Sequence, residues 1–404
     1  MFILREERAK VPTRQRMPLS VTWNQVAGFR LARHHLLERA PTKKLIAVVG
    51  DMAGAQAQLL SAAQASLWSR VQDLQIAHIE EALGKRSLVK AACMRRTLFL
   101  VPSNDLAIFV RGTARRAEKE IRWARGKGVP DRVLDAAIEA ALGALDQPLT
   151  RPEIAERVSH MLGVQTRAFH GGGWGNRRKL AAVPVGELTY PVVELLHLAA
   201  ARGVVCYGPN RGNEPTFVRA DAWIPRWRDI SKEQAEGILL RRYLRAFGPA
   251  TAADFSLWTG ISLTGAREIW ARGQAGFASV NVEGWTAAVL REDLNKLVQA
   301  KFEHPLIRLL PYFDTFLLGH RERDHLVALE HRPKVYRPQG WIAPVVLVDG
   351  RIRAVWEYAR EGDRLRVKVT KFGSISRRIL AGIREEARDL GRFLEIPNVD
   401  VQVV

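Results

Sequence analysis

Gln56 and Gln58 are neutral amides one residue apart. The question that they raise is whether two such side chains can form a catalytic centre. Both residues follow Gly54, in a stretch where a helix is predicted to begin. A glutamine side chain has no pKa that is accessible in water, so it cannot act as a general base. It can only accept hydrogen bonds through its oxygen and donate them through its nitrogen. From residue chemistry alone, the pair is interpreted as ordinary helix surface.

Motifs of better-known chemistries are missing from the sequence. The patterns G-x-S-x-G, H-E-x-x-H and P-C-x-x-C do not occur, and the 10 histidines show no ligand spacing. The glycine-rich HGGGWGNRRK at 170–179 lacks the lysine-serine ending of a phosphate-binding loop and is interpreted as a flexible basic loop. The only cysteines, Cys93 and Cys206, are far apart, which argues against a disulfide framework or a four-thiolate metal site. We therefore expect no metal and no cofactor.

The charge balance predicts a partner that is a polyanion. The 404 residues contain 62 Lys and Arg against 42 Asp and Glu, a net charge of +20 that is spread along the whole chain. A folded nucleic-acid-binding protein fits this distribution better than a protein with a basic tail. No apolar run approaches the roughly 20 residues of a membrane-spanning helix, and Met1 to Pro18 is too charged for a signal peptide. We expect a cytoplasmic, nucleoid-associated protein with no membrane partner.

The N-terminal region is predicted to place the amides within a winged helix. Amphipathic helices are predicted over 20–39, 54–71 and 75–83, and a short strand over 95–103. A basic helix over 105–127 follows. It carries Arg111, Arg115, Lys119 and Arg122 at spacings of four, four and three, which align them on one face. Such a stripe can track DNA phosphates, or it can be an ordinary solvated helix face.

The same order of elements is predicted twice more. Thr150 and Glu153 have the spacing of a capping box that starts a helix, and a hairpin over 203–223 would present Arg211 at its tip. The segment 239–273 reads as a helix-turn-helix, followed by a β-prone wing. In it, Thr251 and Asp254 cap one helix, Gly260 turns the chain, and Ser262 opens the helix that carries Arg267.

The C-terminal part changes to strands. Apolar and alternating runs meet at Asp349-Gly350 and Gly362-Asp363, which are hairpin signals, and a helix is predicted over 375–394. The sequence therefore predicts an α+β protein with about three tandem winged helix-turn-helix units and a C-terminal antiparallel β-barrel. The predicted domains are 1–128, 129–230, 231–300 and 301–404.

Five segments resemble the AlkZ family of bacterial winged-helix DNA glycosylases, a family related more distantly to YcaQ. The similarity runs over nearly the full length. It is carried by GAQAQ (54–58), AACMRRTLFLVPSNDL (91–106), FGPATAADFSLWTGIS (247–262), RLLPYFDTFLLGHR (308–321) and RPQGWIAPVVLVDGRIRAVWEY (337–358). The resemblance implies three tandem winged helices and a C-terminal β-barrel that form a concave DNA-binding surface. It also implies excision of bulky N7-alkylated purines from double-stranded DNA, including the unhooking of interstrand crosslinks.

The resemblance also assigns the two amides. The catalytic motif of the family is Gln-apolar-Gln, which Gln56-Ala57-Gln58 matches as written. The YcaQ-like branch has Asp at the second polar position, so Gln58 is typical of the AlkZ-like branch. An N7-alkylguanine is already cationic and is a good leaving group. A glutamine oxygen then needs only to orient a water and face the developing positive charge on the sugar.

Spacing adds a condition to this role. Residues i and i+2 lie about 200° apart on a helix but share a face in an extended chain. If both amides address one water, the motif has to sit in a non-helical turn or at a helix start, which Gly54 permits. We expect hydrolysis by a monofunctional enzyme without strand cleavage, and little activity on neutral bases such as uracil.

Two other classes of function stay open from the residues alone. One is a non-enzymatic winged-helix DNA-binding protein such as a transcriptional regulator, and the other is an RNA-binding protein. A regulator commonly dimerises to read paired half-sites, and the sequence shows no coiled-coil heptads, so we expect a monomer. The residues predicted to contact DNA, on the basis of their charge alone, are Arg111, Arg115, Lys119, Arg122, Arg177, Arg178, Arg211 and Arg267.

Overall fold

The computed structural model describes residues 18–173 and 176–404, with side chains described outside 171–179. It is a mixed α+β fold in which short 3₁₀ turns join the main elements. The helices are α1 (Trp23–Arg33), α2 (Leu45–Asp51), α3 (Leu60–Trp68), α4 (Ile76–Gly84), α5 (Leu106–Arg111), α6 (Arg115–Gly126), α7 (Asp131–Gly143), α8 (Arg151–Leu162), α9 (Val192–Ala199), α10 (Ala220–Trp223), α11 (Lys232–Phe247), α12 (Ala252–Thr259), α13 (Leu263–Gly273), α14 (Leu294–Val298), α15 (Arg332–Val335) and α16 (Arg377–Phe393).

The strands of the described residues form four sheets. They are β1 (Leu19–Val21), β2 (Ala55–Gln56), β3 (Leu88–Ala92), β4 (Leu98–Pro102), β5 (Leu149–Thr150), β6 (Arg167–Gly173), β7 (Asn176–Val185), β8 (Leu188–Pro191), β9 (Val205–Tyr207), β10 (Thr216–Arg219), β11 (Phe277–Val282), β12 (Trp285–Leu290), β13 (Ile307–Leu310), β14 (Val345–Val348), β15 (Arg351–Glu361), β16 (Arg364–Lys371) and β17 (Asn398–Val403).

One local order recurs three times: a helix, a short extended segment, two further helices and a hairpin. The first repeat is α2, β2, α3, α4 and β3–β4; the second contains α7, β5, α8, α9 and β9–β10; the third contains α11, α12, α13 and β11–β12. In each repeat the short segment pairs with the second hairpin strand: β2 with β4, β5 with β10, and Ala250 with Ala288 of β12. The three repeats therefore share one topology despite their different sequences.

Sheet hydrogen bonds tie the repeats to one another. The strand order β2-β4-β3-β9-β10-β5 makes one sheet from the first two repeats, joined where Lys90 pairs with Tyr207. Strand β1 pairs in parallel with β11 of the third repeat. The pairing thus crosses the domain boundaries that the sequence suggested.

The predicted capping residues start the helices of the second and third repeats. Thr150 with Glu153 forms a complete capping box at α8, as do Thr251 with Asp254 at α12, and the Ser262 side chain caps α13. Each cap satisfies amide groups that have no partner inside the helix and contributes about 1 kcal/mol.

The single basic helix predicted over 105–127 is wrong. The chain forms α5 and α6 with a turn at Gly112, because α5 is apolar and buried against α11 while α6 is polar. A Cβ at Gly112 would lie 2.9 Å from the Leu239 side chain and 2.5 Å from the carbonyl oxygen of Ile108. Arg111 and Arg115 consequently lie on two different helices.

The segment predicted as a flexible loop at 170–179 is also different in the structure. Strands β6 and β7 pair through it in antiparallel register, from Arg167 opposite Ala182 to Gly173 opposite Asn176. Backbone pairing needs no side chain, so glycines can continue the ladder that β7 and β8 extend. Within the described residues, 170–173 and 176–179 of the predicted loop are therefore part of a three-stranded sheet.

The C-terminal strands form an open sheet in place of the predicted antiparallel barrel. Their order is β13-β14-β15-β16-β17, with β13 and β17 at the two edges of the described sheet. Strand β17 pairs with β16 in parallel because α16 carries the chain back to the same end of the sheet. One apolar core continues from this sheet into the first repeat and includes Ala55 and Ala57.

Candidate active site

The two amides lie in a non-helical turn that precedes a helix. Gln56 pairs with Phe99 of β4, the Ala57 amide donates to the Leu98 carbonyl over 2.6 Å, and α3 begins only at Leu60. The motif follows Ala53 and Gly54, which have φ values of 58° and 92°. This conformation is the one that a paired role for the amides required, outside the interior of a regular helix.

Comparison of the repeats shows that this turn is exceptional. In the second repeat the short strand runs directly into Thr150, which caps α8, and in the third repeat Thr251 caps α12 immediately after Ala250. In the first repeat the chain bends at Gln58 and Leu59 before α3, and Leu59 provides no side-chain cap for that helix. The first repeat, which carries the amides, therefore lacks an N-cap side chain that would stabilise the helix by about 1 kcal/mol. Departures of this kind from local rules are typical of functional sites.

Gln56 is held on both its backbone and its side chain. It is 6% exposed, and its Oε1 accepts a hydrogen bond from Nη2 of Arg95 over 3.3 Å. Its backbone amide donates to Oγ1 of Thr315 over 3.4 Å, and the same hydroxyl donates to the Gly54 carbonyl over 3.0 Å. The Gln56 oxygen retains a second lone pair with which it can accept a further hydrogen bond.

Gln58 faces a pocket. It is half-buried, and its Oε1 accepts from the backbone amide of Leu98 over 3.4 Å. The pocket has a volume of ≈ 190 Å³ and also contacts Leu98, Tyr207 and Phe217. Its walls come from the first and second repeats, so the amide lies where these repeats meet.

The turn between β3 and β4 adds two arginines to the site. Arg95 and Arg96 both have left-handed backbones, with φ values of 53° and 59°, a conformation that costs free energy for non-glycine residues. The Arg95 guanidinium donates to the Trp258 carbonyl over 2.7 Å as well as to Gln56. Burial, together with the charge of Arg323, lowers the pKa of Arg95 to about 10, so it remains a cation at neutral pH.

Sequence reasoning missed these two arginines. They stand next to each other in CMRRTL, a stretch that carries part of the family resemblance but matches no catalytic or binding motif of its own. Nothing in two adjacent arginines predicts a left-handed turn, since non-glycine residues rarely adopt that conformation. Their closeness to the amides also depends on the pairing of β2 with β4.

A buried ion pair supports the segment that holds Gln56. Asp314, next to Thr315, accepts from Nη1 and Nη2 of Arg70 over 2.8 and 2.7 Å, and both side chains are fully buried. Ser66 of α3 donates to the same carboxylate over 2.8 Å. The helix that follows the amides is thereby fixed to the strand-rich C-terminal part of the chain.

A basic cleft adjoins this site. It has a volume of ≈ 1060 Å³ and lies between α6 and the start of α13. Arg95 and Arg96 line it from the β3–β4 turn, and Lys119, Arg122 and Trp123 line it from α6. Trp123 is 53% exposed. The amides and the cleft are therefore linked through Arg95, which contacts Gln56 and lines the cleft.

The structure brings together only part of the predicted cationic set. Arg115 lines the cleft with Lys119 and Arg122, but it is paired with Glu236 and Glu268 over 2.6 and 2.7 Å, and these hydrogen bonds raise its pKa. Arg267 is exposed on α13. The remaining predicted cations fall outside this group: Arg111 pairs with Asp229, Arg211 pairs with Glu153, and the side chains of Arg177 and Arg178 lie outside the described residues.

Metal-binding clusters, membrane-spanning helices and reactive thiols were also sought within 18–173 and 176–404. This part of the chain has no cluster of three or more His, Cys, Asp or Glu arranged to hold a metal ion. It also has no helix long and apolar enough to cross a bilayer. Cys93 and Cys206 are buried thiols, and burial raises the pKa of each to about 12.

Comparisons with known proteins show the family. The model of the AlkZ-like DNA glycosylases matches residues 49–393. The chain is 31% identical over 396 residues to the interstrand DNA cross-link repair glycosylase of Streptomyces sahachiroi, covering 96% of this chain and 100% of that protein. The solved structure of Streptomyces sahachiroi DNA glycosylase AlkZ matches with a TM-score of 0.79 and 29% identity, covering 96% of this chain and 100% of that one. The chain belongs to the AlkZ-like DNA glycosylases, which favours an enzyme over a regulator or an RNA-binding protein.

Proposed function

We propose that this member of the AlkZ-like DNA glycosylase family hydrolyses the N-glycosidic bond of cationic N7-alkylated purines in double-stranded DNA, with Gln56 and Gln58 as the catalytic residues. One observation carries the proposal. The two amides occupy a non-helical turn that leads into an uncapped helix, and the matching turns of the other two repeats are capped by threonine. Arg95 then links this turn to a basic cleft large enough to receive a DNA backbone.

The chemistry fits amides because the substrate supplies the positive charge. As the bond between C1′ of the sugar and N9 of the purine breaks, its electron pair neutralises the cationic base, which leaves. A water molecule adds to C1′ of the resulting oxocarbenium-like sugar, and its proton passes to solvent, since glutamine cannot retain it. Gln56 and Gln58 contribute carbonyl dipoles that orient the water and face the developing charge.

Bulky adducts and interstrand crosslinks belong to the same proposal. The Streptomyces sahachiroi relative is described by its name as an interstrand DNA cross-link repair glycosylase. A crosslink through N7 of two purines makes both of them cationic, so either glycosidic bond is activated. Hydrolysis of one bond leaves the tether attached to a single strand, which is the unhooking reaction.

The DNA-binding surface is proposed to follow the repeats. We regard them as three tandem winged-helix units, divided near 128, 230 and 300, since each has helices followed by a hairpin that pairs with an earlier extended segment. Lys119 and Arg122 are exposed cleft cations with no described acidic partner, whereas Arg95 and Arg116 donate to the carbonyls of Trp258 and Cys93. Lys119 and Arg122 are therefore the strongest candidates for phosphate contacts. The enzyme would act as a monomer in the cytoplasm, associated with the nucleoid and without a cofactor.

An excision assay tests the proposal. Duplexes carrying N7-methylguanine or a nitrogen-mustard crosslink are incubated with the protein and then heated in alkali, which breaks the strand at abasic sites. The wild-type protein should give breaks, and Gln56→Ala and Gln58→Ala should each lower the excision rate by about 100-fold, typical of losing one preorganised electrostatic group. Gln72→Ala, which removes an exposed amide elsewhere in the same repeat, is the matched control and should keep the wild-type rate.

Two outcomes would count against the proposal. If the wild-type protein gives no strand breaks, the proposed glycosylase activity is wrong. If all three variants excise the lesion at the same rate, Gln56 and Gln58 are not catalytic. Borohydride added during the reaction tests the monofunctional mechanism. It should trap no protein–DNA adduct, because attack by water forms no imine that borohydride could reduce. A trapped adduct would contradict this mechanism and would indicate an amine nucleophile such as Lys90, whose pKa is lowered by burial.

A further inference from the structure

The pocket beside Gln58 is mainly apolar. It is lined by aliphatic and aromatic side chains of both repeats, among them Leu98, Leu196, Tyr207 and Phe217. The rings of Tyr207 and Phe217 lie 4.6 Å apart, and Phe217 is only 4% exposed, so this wall is firmly packed. A cavity with apolar walls and few polar groups is the usual form of a small-molecule site.

The charged residues at its rim already have partners. Arg96 forms ion pairs with Glu120 and with Glu194, the latter over 3.2 Å. Glu194 also lies 3.5 Å from Nδ1 of His197, and these contacts lower the pKa of its carboxyl. A group that enters the pocket therefore meets apolar surface and the Gln58 amide, and no uncompensated charge.

The pocket shares a wall with the cleft that the proposed function assigns to DNA. Arg96 lines both cavities. A small cavity between them is also lined by Arg96, together with Arg116 on the cleft side and Ala92 and Ala200 on the pocket side. A purine presented to Gln56 and Gln58 would thus have this pocket within reach of a substituent on N7.

From these observations we infer that the pocket binds the apolar arm of an N7 adduct, so that Leu98, Leu196, Tyr207 and Phe217 select lesions larger than a methyl group. The inference rests on the proposed glycosylase function. The apolar arm of the adduct fits this pocket better than the purine ring does. A purine edge carries several donors and acceptors, and each one buried without a partner costs about 1–3 kcal/mol.

Filling the pocket tests the inference. Ala200 lies at the end of α9 and Ala92 at the end of β3, and both side chains line the pocket. Ala200→Leu and Ala92→Val add carbon atoms to it and leave both Gln56 and Gln58 unsubstituted. The matched control is Ala381→Leu, at an exposed position on α16. Single-turnover excision is measured on duplexes carrying N7-methylguanine and N7-benzylguanine.

The wild-type protein and Ala381→Leu should excise both lesions. Each pocket variant should keep the rate on N7-methylguanine and lose about tenfold or more on N7-benzylguanine, in line with what a filled apolar pocket discriminates. Equal losses on the two lesions, or no loss on either, would overturn the inference. If the wild-type protein excises neither lesion, the proposed function itself has failed. Thermal unfolding shows which of the two pocket variants is folded and can be used.

Discussion

Removing the carboxylate of Asp314 should destabilise the fold by about 3 kcal/mol, because it would leave the Arg70 cation buried without its counter-charge. Asp314 accepts four hydrogen bonds of 2.7 to 3.0 Å, from Nη1 and Nη2 of Arg70, from Ser66 and from the Phe316 amide. Breaking a fully buried pair costs about 3–5 kcal/mol. The lower end applies here, since Arg70 keeps hydrogen bonds to the Ser66 carbonyl and to the Ser69 hydroxyl, at 2.7 and 2.9 Å.

The free energy of unfolding is measured by urea denaturation of Asp314→Ala, followed by tryptophan fluorescence. The double variant Arg70→Met with Asp314→Leu removes both charges and should be more stable than Asp314→Ala alone. Glu81→Ala, which opens the exposed ion pair with Lys85, is the surface control and should leave the unfolding curve unchanged. The reasoning is refuted if Asp314→Ala costs no more than Glu81→Ala, or if the double variant is the less stable of the two.

Three further experiments address titration, positioning and DNA affinity. Burial lowers the pKa of His34 well below its usual value, so the unfolded chain binds the extra proton and stability falls as the pH drops below about 6.5. Urea titrations at pH 6.5 and 5.5 should show a loss about 1 kcal/mol smaller for His34→Phe than for wild type, and identical losses would contradict this assignment. Gly260→Ala should slow excision of N7-methylguanine, because its Cβ would lie 3.0 Å from Cα of Arg95; Gly284→Ala has a comparable positive φ but nothing within 4 Å, and should leave the rate unchanged. If both glycine variants excise at one rate, Arg95 does not position Gln56. Binding of undamaged duplex should weaken steeply between 50 and 200 mM salt, a decrease of about 10³-fold or more, whereas a flat response would exclude the basic cleft as a DNA footprint.

Capping and turn signals made much of the fold predictable. Thr150 and Thr251 identified the starts of α8 and α12, and the hairpin signal at Asp349-Gly350 identified the junction of β14 and β15. These signals act over three or four residues, so one sequence contains all the information they need. The break at Gly112 depends on the approach of α11, which lies more than 100 residues later, and no local pattern records it.

The open C-terminal sheet was missed for a related reason. Alternating apolar residues in β15 and β16 predict paired strands, but they do not state whether a sheet closes on itself. That outcome depends on α16, which returns the chain so that β17 adds in parallel at the free edge of β16. The parallel partner is set by a crossover helix and not by any turn motif.

The residues of the candidate site were even harder to predict from the sequence than the fold was. Gln56 and Gln58 have no residue chemistry that separates them from helix surface, and only the family resemblance singled them out in the sequence. The structure supplies a physical criterion that needs no relative: three repeats share a topology, and one of them abandons its helix cap at the matching turn. Arg95 becomes visible only through that turn, because its left-handed backbone and its hydrogen bond to Gln56 both depend on the pairing of β2, β3 and β4. A repeat that loses a stabilising feature shared by the other two is therefore a place to search for function in other tandem folds.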